Sequence, residues 1–358
     1  MFCAIICNVH DTTDHGSLRG LRLRAQLLAE PATEGVDQIV SHLLAVQAQD
    51  LRSARLALRA RSRDLTARDV DEALTTARTL VVAWLGRGTL HLVHRDDYPW
   101  LLALTAPRRF RSNERRLRQE EISPDDAARA LAIIETALGD EGPLSREDLG
   151  GHLETHGIST AGQAVPHLLM RSCLLGISVL GPVAGTKQAF ALTEDWLGTR
   201  PPSLPDSERA AALTRLARRY RDAHAPATPV DLAGWIGLPL RDARIGFESI
   251  DESNQRPGPA GSVSCRLLPS FDPYLLGWKD RSFLVSHAHR KLIHPGGGVI
   301  KATIIHRGEV IGTWNHRRKH RRMTLALQPF ARLDEEVARA LDADAEDVAR
   351  FEALALSR

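Results

Sequence analysis

Cysteine is scarce in this sequence. Only four occur in 358 residues: Cys3, Cys7, Cys173 and Cys265. So few, so scattered, argue against a disulfide scaffold and fit a reducing, cytoplasmic compartment. The stretch CAIIC, followed by His10, has no second paired knuckle, and neither an HExxH nor a paired CxxC occurs. No metal and no cofactor are therefore expected. Long hydrophobic runs are missing as well. None approaches the roughly 20 apolar residues of a membrane span, and MFCAIIC lacks the basic region and the apolar length of a signal peptide. A large charge excess is also absent, with a formal net charge of only +3. Whatever polyanion the chain binds must be met by local clusters rather than by bulk charge.

Such clusters exist. APRRFRSNERRLR (106–118) holds six arginines and one glutamate, and NHRRKHRR (315–322) holds five Lys/Arg and two histidines. The segment from Ala331 to Arg358 is the opposite, with eight acidic residues against four arginines. Basic stretches on a nearly neutral chain point to nucleic acid. The plain alternative for the first run is a solvated helix face, with Glu114 pairing Arg118 at i,i+4. Hydrophobic content of 43% with 25% charged residues is that of a globular protein. At this length two to four modules are expected.

The periodicities sort into two grammars. LRGLRLRAQLLAE, DQIVSHLLAV and LRSARLALRARS, within residues 18–62, repeat apolar residues at helical spacing. Then TARDV (from Thr66), SREDL (from Ser145) and TPVDL (from Thr228) share a capping-box form with Asp as the fourth residue, about 80 residues apart. After the first two copies come helical stretches and then LVVAWLGRGTLHLVH (80–94) and GISVLGPVAGTKQAFALT (176–193), each the pattern of a β-hairpin. Helix, turn, helix, hairpin is the winged-helix order. The third copy offers two short helices that break at Gly237-Leu238-Pro239, with a weaker case for a wing. RPGPAG (256–261) interrupts the chain, and SVSCRLL, RSFLVS, GGVIKATIIHRGEVIGTWNH and RMTLALQPF read as strands, with a hairpin around Arg307-Gly308. The acidic end returns to helix.

The expected fold is α+β: tandem winged-helix modules followed by a small C-terminal antiparallel β-barrel. The expected division is an N-terminal extension (1–17), winged helix 1 (18–95), winged helix 2 (96–200), winged helix 3 (201–255) and a β-barrel-like domain with a C-terminal helix (256–358).

The oddest local feature is AVQAQD (45–50), two neutral amides one residue apart. In a helix such residues point about 200° apart, whereas in an extended segment they share a face. If Gln47 and Gln49 serve one site, the helix over DQIVSHLLAV must end near Val46. No lysine lies near them to act as a Schiff-base nucleophile.

Together LRAQLLAEP, HLLAVQAQD, WLGRGTLHLVHRDDYPWLLALTAPR, DAHAPATPVDLAGWIGL and LLPSFDPYLLGWKDR resemble the winged-helix family that contains the AlkZ-type DNA glycosylases. The resemblance runs from about residue 18 to the C-terminus. It implies tandem winged helices around a cleft and excision of N-alkylated purines, including bulky adducts and interstrand crosslinks. It implies that a glutamine–x–glutamine motif, here Gln47 and Gln49, carries the catalytic side chains. Asp50, directly after Gln49, is a further candidate by its position. The expected activity is that of a monofunctional DNA glycosylase. The alternative is a non-catalytic winged-helix DNA-binding protein, a regulator or lesion sensor.

The expected partner is damaged double-stranded DNA, bound by a monomer. The wing-like turn RGTLH offers Arg87, Thr89 and His91 as DNA contacts, the first basic run Arg108 and Arg109, and the second Arg317, Arg318, Lys319, Arg321 and Arg322, following the strand that ends at Trp314. Asp272, Trp278 and Arg281 are expected to be structural, with Asp272 and Arg281 as a buried pair.

Overall fold

The computed structural model describes residues 15–184, 187–201, 203–250 and 263–357. Cys3, Cys7, His10 and the interruption at 256–261 lie outside the described residues. The chain begins with α1 (His15–Ala25), α2 (Val36–Leu43), β1 (Val46–Gln47), α3 (Leu51–Arg59) and α4 (Ala67–Thr75) and reaches the hairpin β2 (Leu80–Leu85) and β3 (Thr89–His94). Next come α5 (Tyr98–Gln119), α6 (Pro124–Glu141), α7 (Arg146–Thr155) and α8 (Ala164–Leu174), then the hairpin β4 (Ser178–Ala184) and β5 (Lys187–Leu192). The helices α9 (Thr193–Leu197), α10 (Asp206–His224), α11 (Pro229–Ile236) and α12 (Leu240–Glu248) follow. The last part holds β6 (Cys265–Leu268), α13 (Pro273–Leu276), α14 (Arg290–Ile293), β7 (Thr303–His306), β8 (Glu309–Lys319), β9 (Arg322–Pro329), α15 (Glu335–Phe351) and β10 (Ala355–Ser357).

Both expected hairpins are present, and they are not separate. They join through Val82 opposite Leu180 into one sheet of order β1-β3-β2-β4-β5. That explains why β2 reads LVVAWL without alternation, since both of its faces are covered. Leu80, Val82 and Leu92 pack with α2, α4, α6 and α8, while Val81, Ala83 and Val93 pack with α5, α10 and α11. The three capping boxes form at α4, α7 and α11. Asp148 N–H donates to the Ser145 hydroxyl at 3.1 Å, Ser145 N–H donates back to the Asp148 carboxylate at 3.1 Å, and Asp231 accepts from Thr228 N–H at 2.9 Å. After the third box the described residues up to Ile250 contain helices α11 and α12 and no strand.

The C-terminal sheet has the order β10-β9-β8-β7-β6, and no pairing among the described residues joins β6 to β10 to close a barrel. It is not wholly antiparallel either, because β10 runs parallel to β9. RSFLVS, expected as a strand, is a series of turns. Its Phe283 is drawn into an aromatic cluster, edge-on to Trp278 at 5.3 Å and Tyr274 at 6.1 Å, with the Arg22 guanidinium 4.1 Å above its ring. That cluster competes with strand pairing for the segment's apolar residues and wins.

The two parts of the chain meet along α3 and the residues that follow it. Asp272 does not pair with Arg281. It takes a bidentate bond from Arg61 at 2.8 and 2.9 Å, with both side chains fully buried. Arg61 also reaches the Gln26 carbonyl at 3.0 Å, and Gln26 donates to Ala223. Two residues earlier Arg59, also fully buried, holds Asp344 at 3.1 Å and Asp347 at 3.0 Å. Burial works against the Asp344 carboxylate, but Arg59, Arg266 and the Leu267 N–H together keep its pKa below the usual carboxylate range. Its contribution to stability is therefore present at neutral pH and is lost as the pH falls through and below the unfolded value of about 4. Nor do Glu114 and Arg118 form an ion pair among the described residues.

Removing one partner from a buried pair strands a charge, which costs about 3–5 kcal/mol. Asp272→Ala is expected to lose that much in urea unfolding, against less than about 0.5 kcal/mol for Arg129→Ala at an exposed i,i+3 pair. Equal, small effects would contradict the placement of Arg61.

Candidate active site

The helix before the glutamines ends at Leu43, three residues ahead of Val46. Leu44 takes φ 67° and ψ −47°, and Ala45 N–H donates to the Leu43 carbonyl at 2.8 Å. This is a three-residue turn of the strained hand. Two things hold it. The Leu44 side chain is fully buried, and the Ser41 carbonyl is gripped by Arg219, which also bonds Asp97 at 2.9 Å. The chain then runs extended as β1 along the edge of the first sheet. Val46 and Ala48 enter one core while Ala45 joins the other. That alternation leaves Gln47 and Gln49 on a common side, Gln47 half-buried and Gln49 exposed.

Strand pairing gives each amide a defined neighbour. Gln47 stands opposite His91 of β3. Ala48 N–H donates to the Leu90 carbonyl at 2.8 Å, so by antiparallel alternation Gln47 and His91 form a non-hydrogen-bonded pair, in which side chains lie closest. The Gln49 amide is fixed because Leu90 N–H donates to its Oε1 at 3.0 Å. Its NH₂ group is thus the free end, a pure donor, whereas the Gln47 carbonyl remains an available acceptor. Asp50 has a different occupation. It is the N-cap of α3, accepting from Arg52 N–H at 3.1 Å and from the Ser53 hydroxyl at 2.7 Å. Both oxygens are engaged in starting the helix.

His91 is 7% exposed, and burial, with repulsion from Arg87, lowers its pKa to about 4 despite a bond to Thr89. It is neutral at neutral pH. Thr89 is half-buried, and its hydroxyl is sealed without a partner. Arg87 is exposed on the turn between β2 and β3, where Arg109 donates to its carbonyl at 3.2 Å, and Arg108 bonds the Gly237 carbonyl at 3.1 Å. Arg281 joins this group rather than Asp272. Burial lowers its pKa, and Arg87 and Arg290 push the same way. No ion pair among the described residues neutralises Arg87, Arg108, Arg109 or Arg281.

The second basic group is a strand pair rather than a turn after Trp314. Arg317, Arg318 and Lys319 are the exposed end of β8, Lys319 faces Arg322 across the hairpin, and Arg321 lies in the turn between them. The root of this hairpin stands beside the glutamine segment. Burial lowers the pKa of His316, as does Arg52, while Glu352 and Asp50 oppose them.

The family described as "DNA glycosylase AlkZ-like" matches residues 40–351. The chain belongs to the AlkZ-like DNA glycosylase family. The glycosylase also resembles the solved structure of Streptomyces sahachiroi DNA glycosylase AlkZ, with a TM-score of 0.73 over 97% of this chain and 100% of that one, at 21% identity. No curated protein matches it. Among the described residues no group of His, Cys, Asp or Glu is arranged to hold a metal ion, and no helix is long and apolar enough to cross a membrane.

Two features escaped sequence reasoning. The pairing of Gln47 with His91 joins residues far apart in the chain through a two-residue strand, too short to leave a pattern. The meeting of Arg281 with Arg87 depends on how the C-terminal part docks. The Asp50 cap was readable, since an Asp directly before an amphipathic run is a helix-start signal. If Asp50 is only a cap, Asp50→Asn preserves both stability and base release, because Asn caps as well as Asp, and Asp50→Ala costs about 1 kcal/mol in thermal or urea unfolding. A loss of base release in the Asn variant at unchanged stability would return Asp50 to the chemistry.

Proposed function

We propose that this glycosylase hydrolyses the N-glycosidic bond of N-alkylated purines, N7-alkylguanine first among them, without a covalent enzyme intermediate, and that Gln47 and Gln49 place the attacking water. The observation that carries the reading is the extended stretch at β1, which sets two amides on one side, the Gln49 amide held through its Oε1 by Leu90 N–H with its NH₂ free. N7 alkylation leaves the base with a positive charge, so it departs well without a general acid. What remains is to position a water against an oxocarbenium-like sugar. The Gln47 carbonyl accepts from water, and the Gln49 NH₂ donates to a sugar or phosphate oxygen. Positioning of this kind supplies most of the rate, and the DNA phosphates supply the negative field.

The two helix–helix–hairpin units read as winged helices that share a sheet, and the last part as a barrel-like module. The Arg87–Arg108–Arg109–Arg281 group and the β8–β9 hairpin are phosphate contacts on a duplex bound by a monomer. Most base-modifying enzymes flip their target. A base tied to the opposite strand cannot be flipped freely, so an edge-strand site open to solvent suits bulky adducts and interstrand crosslinks. The non-catalytic alternative has no need of the amide pair and loses its ground with the family assignment.

The test is single-turnover release of N7-methylguanine from a defined duplex. The wild type is expected to release base and to give no borohydride-trapped adduct, and Gln47→Ala to be slower by on the order of 10–100-fold at unchanged duplex affinity. Absence of release by the wild type would end the reading. Neutralising Arg317, Lys319 and Arg321 together is expected to weaken binding to damaged and undamaged duplex alike and to lower the salt slope by about 2–3. An unchanged slope would remove the hairpin from the interface.

A further inference from the structure

His91 is a buried titratable group that the water-placing scheme leaves unused. Its Nδ1 lies 3.0 Å from the Thr89 carbonyl. A carbonyl accepts only, so Nδ1 must carry the proton and Nε2 is left as a bare acceptor. Nε2 makes no hydrogen bond to the described residues and is not among the sealed, unpartnered atoms of the interior, so this nearly buried ring reaches the surface at Nε2. The row it belongs to runs Gln47, His91, Ala83 across β1, β3 and β2. On one side is an amide and on the other a methyl group that leaves room. Gln47 and His91 occupy the close type of cross-strand pair, with Cβ atoms about 4.5–5.5 Å apart. Two acceptors at that spacing suit the two hydrogens of one water.

We propose that His91 is a catalytic residue of this glycosylase: its Nε2 and the Gln47 carbonyl together hold both hydrogens of the attacking water, and Nε2 takes the proton. The inference rests on the proposed hydrolysis of alkylated purines. With both hydrogens engaged, the water presents a lone pair to C1′. The C1′–N9 bond breaks and its electrons neutralise the cationic base. As the C1′–O bond forms, one water proton passes to Nε2, because an amide oxygen is too weak a base to keep it. The imidazolium is held by the Thr89 carbonyl, and the proton leaves to solvent. Among the described residues no acid acts on the ring: β1 offers Gln47, β2 offers Ala83, and the charged group acting on it is Arg87 of the turn. Arg87 and burial return the imidazolium quickly to the neutral form.

The experiment compares the wild type with His91→Ala and His91→Asn on a duplex containing N7-methylguanine, following the single-turnover rate, the duplex Kd and the thermal melt. Both variants are expected to release base on the order of 10–100-fold more slowly, at the lower end of general-base effects, with Kd within about twofold and with both proteins still folded at the assay temperature, although loss of the buried ring lowers the melt. The wild-type rate should fall on an acid limb with a midpoint at or above about 4, raised by bound phosphates, and His91→Asn should lack that limb. A rate retained in His91→Asn would overturn the proposal, as would a rate that falls only in step with Kd or melting. If the wild type releases no base, the hydrolysis reading falls and His91 with it. If it does release base, the His91 variants alone decide.

Discussion

Everything at the site hangs on how α3 and the residues just after it are anchored. Arg59 and Arg61 are fully buried guanidiniums, and each crosses from the N-terminal part to carboxylates of the C-terminal part, Asp344 and Asp272. Burying such groups is costly, and the pairs hold because nearly every donor has a partner: Asp272 and Gln26 for Arg61, Asp344, Asp347 and the Leu267 carbonyl for Arg59. The glutamine segment immediately precedes this helix, capped by Asp50 at one end and constrained by the Leu44 turn at the other. Between two fixed ends there is room for only a short extended stretch. Extension, in turn, is what gives Gln47 and Gln49 a common side. The common side of the two amides is thus tied to ion pairs well away from them.

The electrostatics divide by place. The groups proposed to hold the water are neutral: two amides and an imidazole whose pKa is driven down to about 4. The cations stand outside them, on the β2–β3 turn, on α5, at Arg281 and along the β8–β9 hairpin. That arrangement suits a reaction in which positive charge leaves the base and develops on the sugar. A cation among the reacting atoms would oppose it, whereas cations on the phosphates hold the duplex without acting on C1′.

Much of the fold was legible in the sequence. The hairpins, the three capping boxes and the break at Gly237-Leu238-Pro239 are local patterns, and each appears where its residues predict. The exit from the helix before Gln47 followed from spacing and chemistry together. What was not legible is non-local. Arg281 and Asp272 sit close in sequence and look like a pair, but Arg61 reaches Asp272 from α3's end. RSFLVS has strand composition, and an aromatic cluster claims it. The joining of two hairpins into one sheet, through a single opposed pair at Val82 and Leu180, leaves no periodic trace. His91 looked like a wing contact because its burial comes from elements packed on it from elsewhere in the chain.

The central claim is that a neutral site suffices because the leaving base brings its own charge. The direct measurement is the ratio of single-turnover rates on two otherwise identical duplexes, one with N7-methylguanine and one with hypoxanthine, a neutral purine. The account predicts release of the cationic base alone within the assay. Comparable release of hypoxanthine would contradict it, because a neutral purine needs an acid that Gln47, Gln49 and neutral His91 do not provide.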